Sequence, residues 1–163
     1  MAMKRKSGEA GHRRKFLVVI DDSAEVSRAL LFAARRAART GGGLVLLYVI
    51  APSEFQQWVG VENIMRAEAV DAAENALGKM ADLVREKADV EPEQVIREGV
   101  RAEEIVKLIE EDEDIAILVL AAGTGKDGPG PLVSGIGGAA GDYPIPVAIV
   151  PGHLSDEELD ALT

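Results

Sequence analysis

Five short apolar runs alternate with segments of helical periodicity along almost the whole chain, and this alternation limits the fold more than any other feature. Between the runs, apolar residues recur every three or four positions, as at Ala29, Ala33 and Ala37. Alternating strands and helices are typical of α/β proteins, in which right-handed crossovers place the strands in one doubly wound parallel sheet. The predicted strands cover residues 15–20, 44–50, 94–98, 115–121 and 146–150.

The composition is consistent with one domain of this class. The chain has 163 residues and only 4% aromatic residues, so its core must consist mainly of Ala, Val, Leu and Ile, which suit helices layered on parallel strands. The sequence contains no cysteine, which excludes disulfides, thiolate metal sites and thiol catalysis. Because no apolar run approaches the roughly 20 residues that span a bilayer, and no signal core follows the basic start, we expect a soluble cytoplasmic protein without a membrane segment.

The charge is unevenly distributed along the chain. The net charge is −10, but residues 1–15 carry +5, so the remainder carries −15. An acidic body argues against nucleic-acid binding, because neutralising phosphates requires clustered Lys and Arg. We therefore predict a basic, disordered tail over residues 1–14, a folded domain over residues 15–151 and a short acidic extension over residues 152–163.

Local patterns predict how the helices begin and which faces they bury. Asp22 with Glu25, and Ser155 with Glu158, have the spacing of a capping box. The acidic run at residues 110–114 is expected to be a solvated turn, and a short or irregular helix is expected after residue 131 because glycine is frequent there. Phe55 and Trp58 are expected to cover a crevice, form a dimer contact or pack in the core. The long helix over residues 61–88 is expected to bury the face formed by Met65, Ala69, Ala72, Ala76, Met80, Leu83 and Val84.

A glycine-rich loop follows the fourth predicted strand. Eight of the 17 glycines lie between Gly123 and Gly141, and a strand that ends in such a loop can bring backbone N–H groups close to a phosphate. The loop is not a Walker A motif, because Leu120 occupies the position of its first glycine and Asp127 follows Lys126. No Rossmann fingerprint joins the first strand to its helix. Gly125, Lys126, Gly128 and Gly130 could still form a different phosphate nest, with Lys126 as the cation.

Few residues are suited to catalysis. The two histidines, His12 and His153, lie near the ends of the chain, so neither Ser23 nor Ser134 has a histidine nearby in sequence. Asp21 and Asp22, at the end of the first strand, could bind Mg²⁺ or share a proton, although helix capping is the simpler role for one of them. We therefore favour a protein that is not an enzyme.

The order of the motifs KFLVVIDDS, LVLLYVI, AILVLAAGTG, a Ser-Gly step and PIPVAIV resembles the universal stress protein family over residues 15–151. The resemblance implies the adenine-nucleotide alpha hydrolase-like fold, with five parallel strands in the order 3-2-1-4-5. It also implies a homodimer paired through the last strand, from Pro146 to Val150.

The same resemblance assigns candidate residues for a nucleotide. Asp21 matches the acidic residue that contacts adenosine, Val49 matches the adenine-side position, Gly123 matches the middle glycine of the loop motif, and Ser134 matches its phosphate-binding Ser or Thr. Leu120 and Val133 stand where the motif has glycine, and Asp22 replaces the glycine of the first turn. If the alignment is shifted by one residue, Ser134 takes the position of the last glycine of the motif and Gly135 takes the position of its Ser or Thr. The candidate residues are Asp21, Asp22, Val49, Gly123, Gly125, Lys126, Gly128, Ser134 and Gly135.

Three functions are consistent with these observations. The first is a regulatory module that binds ATP, ADP or AMP in the crevice, with Mg²⁺ if the ligand is a triphosphate. The second is a family member without nucleotide that acts as a dimeric protein-interaction module, and the third is a slow ATP hydrolase. Val133 makes a tight phosphate nest at its own position difficult, because a β-branched residue does not readily adopt positive φ.

Overall fold

The computed structural model describes residues 4–52 and 62–163, and within them it contains one five-stranded parallel sheet in the order β3-β2-β1-β4-β5. This confirms the predicted doubly wound α/β fold and its strand order. The strands are β1 (Lys15–Val19), β2 (Gly43–Ile50), β3 (Glu93–Glu98), β4 (Ile115–Ala122) and β5 (Val147–Pro151). The helices are α1 (Val26–Thr40), α2 (Glu62–Lys87), α3 (Arg101–Glu111), α4 (Pro131–Gly138) and α5 (Asp156–Leu162).

The sheet separates two apolar layers, since successive side chains of a strand point to opposite faces. In β1, Phe16 and Val18 pack with α1, α2 and α5, whereas Leu17 and Val19 pack with α3 and α4. The predicted face of α1, which includes Ala29, is fully buried. Phe55 and Trp58 lie outside the described residues.

The buried face of α2 agrees with the predicted one in part. Val84 is buried, and Ala69, Met80 and Leu83 pack against the core, as predicted. Ala73, Leu77 and Ala81 are also buried, whereas Ala72 is exposed. Alanine and methionine occur on several sides of this helix. The periodicity alone therefore did not decide between buried faces that differ by about one residue. Leu77, which the predicted face does not include, is a large side chain at the centre of the buried face.

The glycine-rich segment after β4 does form a helix. Proline at the first position of α4, with its fixed φ, helps the helix to begin despite the four glycines from 135 to 141. The helix ends at Gly138 and is followed by a single 3₁₀ turn, Ala140–Asp142. The prediction of a short helix at this position is therefore correct.

The acidic run at residues 110–114 contacts basic side chains; Glu110 and Glu111 are exposed, as expected for a solvated turn, whereas residues 112–114 are half-buried. Lys6 lies 2.9 Å from Glu113, and His12 Nδ1 lies 2.7 Å from Asp114 Oδ1. The backbone N–H of Lys6 also donates to the carbonyl oxygen of Glu113 at 2.9 Å. The basic residues before β1 thus lie along this turn, because the two segments have opposite charges.

The C-terminal helix α5 packs on α1, and arginines of α1 hold it there. The predicted capping box is confirmed, because the Ser155 hydroxyl accepts from Glu158 N–H and the Glu158 carboxylate accepts from Ser155 N–H. Arg28 and Arg35 donate to the carbonyl oxygens of Leu154 and Asp156 at 2.9 and 2.8 Å. In the described part of the chain, none of the helices is both long enough and apolar enough to cross a membrane.

Candidate functional site

A cleft opens at the carboxyl ends of β1 and β4, the two neighbouring strands at which the strand order reverses. Ligands of open α/β sheets bind at this kind of position. The cleft is small, with a volume of about 70 Å³. Its walls are formed by Val19, Asp21, Ser23, Glu25, Val26, Ala29, Arg101, Val119, Leu120, Ala121 and residues 129–133.

Asp21 lies at the centre of this edge of the sheet. One carboxylate oxygen accepts a hydrogen bond from the Ser23 N–H at 3.0 Å, and the other lies 3.9 Å from Nη1 of Arg101. The side chain is only 20% exposed. Asp21 also borders a second depression of about 270 Å³ next to α2, which is lined by Ile20, Asp21, Asn75, Ala76, Lys79 and Met80.

Arg101 was not among the predicted site residues. It is the first residue of α3, and it reaches the cleft because β3 and its following turn end at the same edge of the sheet as β1. No signal in the sequence marked Arg101, because Glu103 and Glu104 in the same first turn already complement the helix dipole. In the structure the carboxylate of Asp21 lies within ion-pair distance.

The predicted capping box of Asp22 and Glu25 is wrong. Helix α1 begins at Val26, its N-cap is Glu25, and no side chain caps it. The Asp21 carboxylate binds the Ser23 N–H instead, and Val26 N–H is directed at the Ser23 carbonyl oxygen at 3.5 Å. Residues 21–26 thus form a tight turn in place of the capping box, and Asp22 is exposed.

The glycine loop between β4 and α4 closes on itself. Gly123 N–H donates to the Pro129 carbonyl oxygen at 3.0 Å, and Gly128 N–H donates to Gly125 at 3.2 Å. Positive φ occurs at Gly128 (80°) and at Gly130 (104°), which explains the need for glycine at these two positions. Lys126 lies on the exposed turn, and neither it nor Gly125 or Gly128 lines the cleft.

Glu25 fills the space beside Gly123. A methyl group on Gly123 would lie 3.1 Å from the carbonyl oxygen of Gly128 and 3.2 Å from Oε1 of Glu25. The glycine therefore allows the carboxylate of Glu25 and the loop to approach the end of β4. As a result, the cleft has an acidic side chain on the wall next to α1.

The first turn of α4 forms the opposite wall. The first amides of an α-helix have no partner within the helix, and here they belong to Leu132 and Val133, since Pro131 has no N–H. Both residues line the cleft. Val133 has an ordinary helical conformation, so the positive φ expected from the motif is not required of it.

Three predicted residues lie elsewhere. Ser134 is exposed on α4, and its N–H donates to the Gly130 carbonyl oxygen at 3.0 Å. Gly135 borders a different cavity, between α3 and α4. Val49 is buried in the layer between the sheet and α3. Of the predicted residues, Asp21 therefore lines the cleft, together with Arg101 and the start of α4, whereas Gly123 lies beside Glu25 of the cleft wall.

The described residues offer no preformed metal site. No group of three or more His, Asp or Glu side chains among residues 4–52 and 62–163 is arranged to hold a metal ion.

The comparison with protein families gives one match, in which the model of the universal stress protein family covers residues 12–151. The chain belongs to the universal stress protein family. Its five-stranded sheet in the order 3-2-1-4-5 is the adenine-nucleotide alpha hydrolase-like fold of this family. No match was found among curated protein sequences.

Solved structures of universal stress proteins share this fold. The protein UspA from Lactobacillus plantarum is 19% identical, with a TM-score of 0.68 over 84% of this chain and 97% of that one. A universal stress protein in complex with cAMP is 15% identical (TM-score 0.59, 84% of this chain, 96% of that one). The protein from Archaeoglobus fulgidus in complex with dAMP is 19% identical (TM-score 0.55, 84% of this chain, 97% of that one).

Proposed function

We propose that this universal stress protein is a regulatory module that binds an adenine nucleotide at the carboxyl edge of β1 and β4. The observation that carries the proposal is the position of Asp21. Its carboxylate lies between a cleft that ends at a helix N-terminus and a second depression lined by both apolar and polar side chains. A nucleotide has the matching parts, because an anionic phosphate and an apolar base are joined by a sugar with hydroxyl groups.

The phosphate would bind at the start of α4. The amides of Leu132 and Val133 and the positive end of the helix dipole favour an anion there. The guanidinium of Arg101, on the same cleft, can donate charge-assisted hydrogen bonds to phosphate oxygens. Lys126 lies on the turn between Gly125 and Gly128, which is exposed to solvent. Its ammonium group would be a second cation for the phosphate.

The base would lie in the depression next to α2. Ile20, Ala76 and Met80 supply apolar surface for its faces, and the amide of Asn75 supplies both a donor and an acceptor. The Asp21 carboxylate accepts hydrogen bonds, so it suits the ribose hydroxyl groups or the adenine amino group. Asp21 would thus hold the part of the ligand that joins the two depressions.

Size and charge favour a monophosphate over a triphosphate. Small-molecule sites usually measure about 300–1,000 Å³, whereas the cleft measures only about 70 Å³, so most of the ligand would lie outside it. Glu25 adds a negative charge to the wall, which repels each additional phosphate group unless Mg²⁺ intervenes. The complexes of two relatives with cAMP and dAMP support a ligand of this class.

Titration calorimetry with AMP, and with ATP in the presence and absence of Mg²⁺, tests the proposal. We expect saturable binding of AMP by the wild type and at least tenfold weaker binding by Asp21→Asn and by Arg101→Met. Asp89→Asn is the matched control, because Asp89 is an exposed aspartate at the far end of α2 and its loss removes the same charge. If millimolar AMP and ATP give only heats of dilution, or if all variants bind equally, the proposal is wrong.

The outer edge of β5 suggests how two copies would assemble. Among the described strands β5 pairs with β4 alone, and Ile149 on it is 48% exposed. An edge strand with an exposed apolar side chain can pair with a second copy of itself. We propose a homodimer through β5, and we expect Ile149→Lys to convert a dimer into a monomer in analytical ultracentrifugation. A wild-type protein that sediments as a monomer at 100 μM would contradict this assembly.

A further inference from the structure

A further cavity, called the apolar cavity below, lies between α3 and α4, on the face of the sheet opposite α1. It is separate from the cleft and from the depression next to α2. It measures about 480 Å³, within the range of small-molecule sites. Its walls include Val106 of α3, Leu132, Gly135 and Ile136 of α4, and Tyr143 and Pro144 of the segment before β5. We propose that this cavity is a separate ligand site for an uncharged, apolar molecule of about the size of a two-ring aromatic compound.

The side chains of the cavity decide the class of ligand. Of the residues that line it, Asp142 alone carries a charge, and it lies exposed. The other walls are aliphatic, aromatic, proline or glycine surfaces, which favour removal of apolar groups from water. An anion would meet the carboxylate of Asp142 and no cation, so the ligand differs in kind from the nucleotide proposed for the cleft.

The space beside Gly135 belongs to this cavity. A methyl group added to Gly135 would have no atom within 4 Å, although the residue lies in the middle of α4. Glycine costs about 1 kcal/mol relative to alanine inside a helix. Neither positive φ nor close packing requires glycine here, so a larger side chain can be placed at this position of the cavity wall.

The two sites share part of one wall. Pro131 and Leu132, at the start of α4, line both the cleft and the apolar cavity. A molecule that displaces Leu132 from one side must therefore change the position of the helix N-terminus on the other side. Occupation of the cavity would in this way adjust the affinity of the cleft for phosphate.

A fluorescence titration with N-phenyl-1-naphthylamine tests the proposal on the full chain. This uncharged probe consists of a two-ring naphthalene system joined to a phenyl ring through an N–H group. We expect saturable enhancement with one probe per chain. Gly135→Leu should fill the cavity and weaken binding at least tenfold. Gly137→Leu is the matched control, because Gly137 lies in the same helix with equally open surroundings but does not line the cavity.

Each result has a definite meaning. Circular dichroism and the melting temperature will show that both leucine variants are folded, since leucine is a better helix former than glycine. Equal probe binding by the wild type, Gly135→Leu and Gly137→Leu, or no saturation in the wild type, would overturn the proposal. Complete displacement of the probe by saturating AMP would also overturn it, because the probe would then occupy the cleft, whereas a finite change in probe affinity is the coupling expected through Leu132. Failure of AMP to bind would leave the probe result unaffected.

Discussion

Replacing Tyr143 with phenylalanine should stabilise the protein. The hydroxyl oxygen of Tyr143 is buried and has no hydrogen-bond partner among the described residues. A buried polar group without a partner costs about 1–3 kcal/mol. Removing the oxygen sacrifices a few van der Waals contacts, worth about 0.5 kcal/mol in total. We therefore expect the free energy of unfolding to rise by about 1 kcal/mol, and the melting temperature by about 2–4 °C for a chain of this length.

The effect should also depend on pH. Burial raises the pKa of the Tyr143 phenol above its ordinary value of 10.0. In the unfolded chain this tyrosine ionises first, so above pH 10 the wild type loses stability until the folded-state pKa is reached. Phenylalanine cannot ionise, and the stability difference between the variant and the wild type should therefore widen above pH 10.

Urea denaturation followed by far-UV circular dichroism, at pH 7 and at pH 10.5, measures both quantities. The chain has only two tyrosines, so the absorbance titration of Tyr48→Phe reports the phenol of Tyr143 directly. A Tyr143→Phe variant that is less stable than the wild type at pH 7 would refute the reasoning, because it would mean that the hydroxyl is paired in the folded protein.

Three other substitutions test different contacts. Gly152→Ala should cost about 2 kcal/mol or more in thermal unfolding, because the added methyl group would overlap the Ala122 carbonyl oxygen. Glu25→Gln should tighten AMP binding about threefold or more in calorimetry, because it removes a negative charge from the cleft wall. The hydrogen bond from Arg28 lowers the pKa of Asp156, so the stability from this pair is present above the ordinary pKa of 3.8 and is lost as pH falls. Arg28→Met should therefore show a smaller loss of stability than the wild type in urea titrations between pH 5 and pH 2.

A control variant and three contradicting outcomes separate these specific effects from a general loss of stability. Gly138→Ala adds a methyl group where no atom lies within 4 Å, so it should leave stability unchanged or increase it by up to about 1 kcal/mol. Equal behaviour of Gly152→Ala and Gly138→Ala would contradict the packing argument. A decrease in AMP affinity in Glu25→Gln would show that the carboxylate helps to bind the ligand. Identical acid unfolding of Arg28→Met and the wild type would show that solvent screens the pair completely.

The sequence predicted the fold well because the signals for the strands are local. Apolar runs such as 15–20 and 115–121 coincide with β1 and β4 to within one residue, and the Ser155 capping box needs only four consecutive residues. The order of the strands followed from the resemblance to the family. The buried face of α2 was predicted correctly only in part, because alanine is small enough to occupy both the buried and the exposed sides of the helix.

The site was harder to predict because its parts come from distant segments. Asp21 was recognisable at the end of a strand, but Arg101 approaches it from a helix 80 residues later. Asp22 and Glu25 had the spacing of a capping box, but α1 begins later, with Glu25 as its N-cap, and the Ser23 N–H donates to the Asp21 carboxylate. Which of the many glycines would bend the loop could not be read from their frequency, since the backbone requires positive φ only at Gly128 and Gly130 within it.

The position of a bound nucleotide tests the central proposal most directly. Titration of ¹⁵N-labelled protein with AMP, followed by heteronuclear NMR, reports on each backbone amide separately. We predict that the largest shifts occur at the amides of Ser23, Arg101, Leu132 and Val133, around the cleft, with small shifts at Ile149 on the outer strand. Shifts that leave the amides of Leu132 and Val133 unchanged while others move, or no shifts at millimolar AMP, would contradict the proposed site.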